Sequence, residues 1–208
     1  MNLISIESST DLCSVSSFKK GNLYNVIDLV DSKEHSKNLP HIILRAMNDF
    51  EDYSKIEAFA VSIGPGSFTS VRIALSIVKG LAFGLKNNII PVSTLEAMNY
   101  SVNDKGIHYV SINSFKNKCF IQKFKGSVVL APPFISNIED IGNLDAKVYL
   151  YSNNAIEQNC HLISPSSISL AEYAIINYSR LVKKYNDNIS PIYLSENKFV
   201  KINDNKSK

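Results

Sequence analysis

The sequence has little of what builds metal, redox or disulfide sites. Its three cysteines, Cys13, Cys119 and Cys160, are far apart and odd in number, and they form no CxxC pair. That pattern excludes a disulfide framework and a zinc knuckle, and reads as reduced thiols in a cytosolic protein. The four histidines contain no HExxH, and the six-residue separation of His35 and His41 does not align them on one helix face. No metal and no cofactor is expected. The amino-terminal "MNLISIESSTDLC" has neither a basic n-region nor an adequate apolar h-region, so no signal peptide is expected. No membrane span is expected, because Arg72 and Lys79 interrupt the best apolar run. A formal net charge of +3 is too small to argue for nucleic acid. The tail lysines Lys198, Lys201, Lys206 and Lys208 read as a solvated end rather than an RNA contact. What remains is a cytoplasmic globular chain of 208 residues, long enough for one large domain or two small ones around a real core.

What is present is a clear succession of elements. Stretches 3–8, 13–18 and 23–30 read as a three-stranded meander, with a Gly-containing turn at 19–22. A helix follows. Ser36 is the candidate N-cap, Pro40 falls in the first turn, and Leu39, Ile43, Met47 and Phe50 line one face, widened by Ile42 and Ala46. The nearly all-apolar 57–64 reads as a strand covered on both faces. A helix over about 68–85, a strand at 88–93 and a third helix opened by a Ser93–Glu96 capping box complete the first half. The second half starts again with strands at 107–113, 118–124 and 127–131. A Pro-Pro break, a short helix near 136–141, a strand at 147–152, an amphipathic helix over 167–185 and an extended 191–199 follow. The fold class is therefore α/β, with two similar subdomains built on mixed sheets. The boundary falls in the polar stretch Ser101–Lys105, giving subdomains 1–102 and 103–208.

"SIGPGSFTS", residues 62–70, has the outward form of a phosphate cradle: a strand, a Gly-rich turn and a helix start. Gly64, Gly66, Ser67 and Thr69 are the candidate anion site, with Ser67 as N-cap. The form is incomplete. A Walker loop needs Lys after its last Gly, where Ser67 stands, and Pro65 removes a donor. A turn plus a cap is the commoner role. The helix behind it is more informative. Its polar side chains form one stripe, Arg72, Ser76 and Lys79, and Val71, Ile73, Ala74, Leu75, Ile77, Val78, Leu81 and Ala82 fill the rest. One sheet covers one side of such a helix, so either the helix at 39–50 or another chain covers more. Small residues (Ala74, Ser76, Gly80, Ala82, Gly84) suit close helix approach in both cases.

Other chemistries fit less well. "GPGSFTS" is not GxSxG, so no nucleophile elbow is present. Glu7 and Asp11 are the acidic residues near the end of strand one, where sugar-kinase-like enzymes hold magnesium. The matching second-half position is Asn113, so both expected acidic anchors are altered, and Glu7 and Asp11 read as exposed turn residues.

"GPGSFTSVRIALSIVKGLAFG" (64–84) with "IIPVSTLEAM" (89–98) resembles the TsaB (YeaZ) family of bacterial tRNA threonylcarbamoyladenosine (t6A) biosynthesis. "EHSKNLP" (34–40), "LISIESS" and "PIYL" (191–194) resemble further family segments. The likeness is specific over 56–98 and patchy from 102 onward. Ser70, Glu7, Asn113 and Ser195 depart from the family pattern.

The resemblance implies an ASKHA (actin/hexokinase/Hsp70-like, ribonuclease H-like) fold. It also implies a non-catalytic scaffold that binds and activates the transferase TsaD, with the ATPase TsaE, for t6A37 formation in tRNAs reading ANN codons. tRNA would be reached indirectly through the complex. Pairing with TsaD as a heterodimer, or as a homodimer, is implied through helices 36–50 and 68–85. The expected contacts are Leu39, Ile43, Met47, Val71, Leu75, Val78 and Ala82. The alternative from the residues alone is a stand-alone nucleotide-dependent transferase or ATPase of the same superfamily. A metalloprotease reading lacks zinc ligands.

Overall fold

The computed structural model describes residues 1–30, 35–152, 160–185 and 188–194. The Ser36 side chain, Ser195 and the lysine-bearing tail lie outside the described residues.

The first meander forms as its alternation requires. Strands β1 (Leu3–Glu7), β2 (Leu12–Lys19) and β3 (Asn22–Val30) pair antiparallel. Strands β4 (Ala58–Ser62) and β5 (Asn88–Val92) add in parallel, giving the sheet order β3-β2-β1-β4-β5. Between them lie α1 (His35–Met47) and α2 (Phe68–Leu85). Ser36 is thus inside α1, and Pro40 sits in its second turn with its ring exposed, not in the first turn as expected. By length and composition α2 could cross a membrane, which corrects the expectation of no such run. Six of its residues, however, are buried against the sheet.

One face of this sheet carries Ile4, Ile6, Val15, Phe59 and Val61, which pack under α1 and α2. The opposite face is covered from the far end of the chain. Helices α5 (Ser167–Ile176) and α6 (Tyr178–Tyr185) lay Leu170, Ala171, Ala174 and Leu181 onto Leu3, Phe18, Ala58, Ala60, Ile90 and Val92. Small side chains on both sides allow this close approach: the Ser167 amide donates to Ser14 Oγ at 3.1 Å, and the two hydroxyls lie 2.8 Å apart. The single helix expected over 167–185 is divided at Asn177.

The second sheet runs β11-β10-β6-β7-β8, with β9 also paired to β7. Its strands are β6 (Ile107–Asn113), β7 (Lys118–Lys125), β8 (Val128–Val129), β9 (Phe134–Asn137), β10 (Lys147–Tyr151) and β11 (Cys160–Leu162). The expected third strand shrinks to two residues, because "PPF" breaks the chain and β9 takes up the pairing along β7. The short helix α4 (Ile138–Ile141) covers one face with Ile141, and α3 (Thr94–Tyr100) covers the other with Leu95 and Met98. Ser93 makes no side-chain cap bond, so the capping box does not form. Glu96 turns away to accept from Tyr173 on α5 and lies 3.6 Å from Arg180 on α6.

Candidate functional site

Two places gather the residues singled out in the sequence: the cleft between the sheets, and the outer surface of α2.

The cleft has a volume of about 640 Å³. On one side it is lined by Ser9, Thr10 and Asp11 of the β1–β2 turn and by the loop leading into α2. On the other side stand Asn113, Phe115 and Tyr151 of the second sheet. Local backbone geometry explains the glycines. Gly64 has φ +86°, where only glycine is unstrained, and it precedes a cis Pro65. A Cβ on Gly66 would stand 2.2 Å from the Ser9 carbonyl oxygen.

Of the candidate anion site, Gly64, Gly66 and Ser67 line the cleft and Thr69 does not. Two of the amides there are engaged. The Ser67 N–H donates to Ser9 O at 2.6 Å, and the Ser70 N–H reaches Ser67 Oγ at 3.4 Å. Ser67 is therefore the cap foreseen from the sequence, and its amide ties the loop to the first turn of the meander rather than facing open solvent.

The acidic residues separate. Glu7 is wholly buried, which corrects its reading as an exposed turn residue. One carboxylate oxygen accepts from the Ser9 N–H at 2.7 Å. Burial outweighs that bond and pushes the Glu7 carboxyl above the ordinary carboxylate range. Asp11 sits on the cleft wall and accepts from the Tyr151 hydroxyl at 2.6 Å, linking the two sheets. Burial, then this bond, raises the Tyr151 phenol. Asn113 donates from Nδ2 to Ser152 Oγ at 2.5 Å, while its Oδ1 accepts nothing. Among the described residues, no three His, Cys, Asp or Glu side chains gather as a metal site.

The seven expected contact residues, three on α1 and four on α2, are inside the chain. Leu39, Ile43, Met47, Val71, Leu75, Val78 and Ala82 are each 4 % exposed or less; Val71 packs beside Gly64, and the other six fill the space between the two helices and the first sheet. That corrects the choice of side chains: α1 itself supplies much of the cover that α2 demands. The polar stripe is also used within the chain. Lys79 Nζ donates to the Ile189 carbonyl at 2.8 Å, and Arg72 Nε donates to the Tyr193 hydroxyl at 2.8 Å. These two bonds hold segment 188–194 along one edge of α2, and the Ile192 amide anchors it to Ile63 O at 2.7 Å.

The remaining face of α2 is open. Ser76, Gly80 and Gly84 follow at spacings of four. A Cβ on Gly80 or Gly84 would meet nothing within 4 Å. Ile73 and Ile77 are half-buried beside them, and Phe83 is 89 % exposed. Sequence reasoning found this helix and its small residues but did not separate the open Ser76, Gly80 and Gly84 from the buried Ala74 and Ala82. The signal was the i, i+4, i+8 row of small residues.

A parallel core of β1, β4 and β5 extended by a meander, helices on both faces and a cleft between two such sheets define an α/β fold of the ASKHA type. A solved structure titled YeaZ from Pseudomonas aeruginosa has this fold: it superposes with a TM-score of 0.73 at 20 % identity, over 93 % of this chain and 99 % of that one. The family profile for TsaD, tRNA N6-adenosine threonylcarbamoyltransferase, matches residues 26–111. The tRNA threonylcarbamoyladenosine biosynthesis protein TsaB of Haemophilus influenzae is 35 % identical over 98 residues, 47 % of this chain and 42 % of that protein. TsaB of Escherichia coli is 34 % identical over 98 residues, with the same two coverages. The chain thus aligns with less than half the length of these curated relatives.

Proposed function

We propose that this chain is a non-catalytic scaffold of t6A formation in tRNA. It docks on the transferase TsaD of its own cell through the open face of α2 and supports that enzyme's activity. TsaE and tRNA belong to the same assembly, and the same face is available to a second copy of the chain when TsaD is absent. The two sheets, residues 1–102 and 103–208, are the two subdomains of that scaffold, with α5 and α6 crossing back to brace the first.

The observation that carries this reading is the outer stripe of α2. Ser76, Gly80 and Gly84 let a partner helix approach closely, and Ile73, Ile77 and Phe83 offer apolar surface around them. Leu44 on α1, 49 % exposed, supplies further apolar surface. Support for the catalytic partner being another protein comes from the cleft. Among the described residues its one lining carboxylate, Asp11, is already bonded to Tyr151, and Glu7 is buried away from it.

The test is reconstitution. TsaD, TsaE, tRNA, ATP and the threonylcarbamoyl donor are combined with and without this chain, and t6A is counted by mass spectrometry of digested tRNA. Formation that depends on the chain supports the scaffold. Full activity without it, or turnover by the chain alone, contradicts it.

A further inference from the structure

Exposed aromatic rings are few on most soluble surfaces, and here three stand around one opening. Phe68 is 54 % exposed, Tyr193 52 % and Phe115 64 %, and all three line the cleft between the sheets. They come from different parts of the chain: the first turn of α2, segment 188–194 and the β6–β7 turn. The first two are fixed rather than loose. Their ring centroids are 5.3 Å apart, and the Arg72 guanidinium lies 3.7 Å over Phe68 and 5.3 Å from the Tyr193 ring. Arg72 also bonds the Tyr193 hydroxyl, so the cluster is ordered before any ligand arrives. Phe115 stands on the second wall, in a turn where Lys116 and Asn117 both hold left-handed φ near +55°.

We propose that this cleft mouth binds a nucleobase of single-stranded RNA, stacked on Phe68, Tyr193 and Phe115. Every base has a π-face, so aromatic platforms beside cationic groups are the usual way to hold an unpaired strand. The volume of about 640 Å³ admits one nucleotide. The openness of the site favours a base presented by a chain over a free nucleotide. The rings are half or more exposed, whereas small-ligand sites enclose most of the ligand. The choice of RNA as the source rests on the t6A reading above. The stacking chemistry does not.

The test uses the chain by itself, so its outcome is independent of TsaD docking. The sequence contains no tryptophan, which makes Phe115→Trp a sole fluorescent reporter placed on the platform. Titration with an eight-nucleotide single-stranded RNA is expected to quench that emission. In fluorescence anisotropy of the labelled oligonucleotide, Phe115→Ala and Tyr193→Ala are each expected to weaken binding about tenfold or more. Circular dichroism checks that both variants remain folded. Absence of quenching, or an affinity unchanged in both alanine variants, overturns the proposal. So does tighter quenching by ATP with magnesium than by the oligonucleotide, since the source would then be a free nucleotide. Equal displacement by heparin from wild type and Phe115→Ala would show charge binding alone and would also overturn it.

Discussion

Both sheets send their first strand to a polar turn at the cleft, and there the likeness between the halves stops. The first sheet is sandwiched between two full helix pairs, α1 with α2 and α5 with α6. Among the described residues the second has only α3 on one face and the four-residue α4 on the other. The turns differ in the same sense. The β1–β2 turn is fastened through Ser9 and Asp11, while the β6–β7 turn leaves Phe115 largely in solvent. We therefore place more of the stability in the first sheet than in the second. Helices α5 and α6 are spent on bracing the first half, and the outer stripe of α2 is left without cover among the described residues.

The contrast can be broken most directly in the two cores. Phe59, fully buried at the centre of the first sheet, should cost about 3–5 kcal/mol when changed to alanine. Leu144, only partly buried beside α4, should cost about 1 kcal/mol on the same change. Urea midpoints compare the two, and equal losses would show that both halves are packed alike.

Glu7→Gln sharpens the contrast at the cleft. The folded carboxyl titrates above its unfolded value, so the native state holds a proton that the unfolded chain releases as pH rises. That group's contribution is full below the unfolded pKa and is lost as pH climbs through the folded one. Glu7→Gln should therefore gain on the order of 1–3 kcal/mol at pH 7 and little at pH 4. Thermal melts of both proteins across that range read the gap, and a gain that grew toward acid would reverse the sign of this account.

The smallest of these effects is at the cap. Ser67→Ala should cost about 0.5–1 kcal/mol, the low end for caps, since the Ser67 Oγ bond to the Ser70 amide is long at 3.4 Å. It is read from the melting temperature. A loss of several kcal/mol would mean that the hydroxyl holds the loop as well as the helix.

Much of this was legible in the sequence where periodicity speaks. The meander, β4 and β5, the Ser67 cap and the span of α2 all follow from local pattern. What was not legible depends on distant partners. Nothing in "SISLAEYAII" says which sheet it will cover, and the small faces of Ser14, Ala58 and Ala60 match it only after the chain has turned back. Glu96 reads locally as half of a capping box, but its stronger partners, Tyr173 and Arg180, are far along the chain. Arg72 and Lys79 read as a solvent stripe, yet they hold segment 188–194. The seven apolar residues chosen for an interface are buried within the chain, because periodicity gives a face without saying what meets it.

The central claim is that the small-residue face of α2 is where the partner helix lies. Gly80→Arg tests it without disturbing the core, since a side chain there enters open space and arginine is a better helix former than glycine. Isothermal titration of TsaD from the same cell with the wild-type chain and with Gly80→Arg is the direct measurement. The account predicts that the variant melts no lower than wild type and loses at least a hundredfold in affinity. A variant that binds TsaD as tightly as wild type would contradict it.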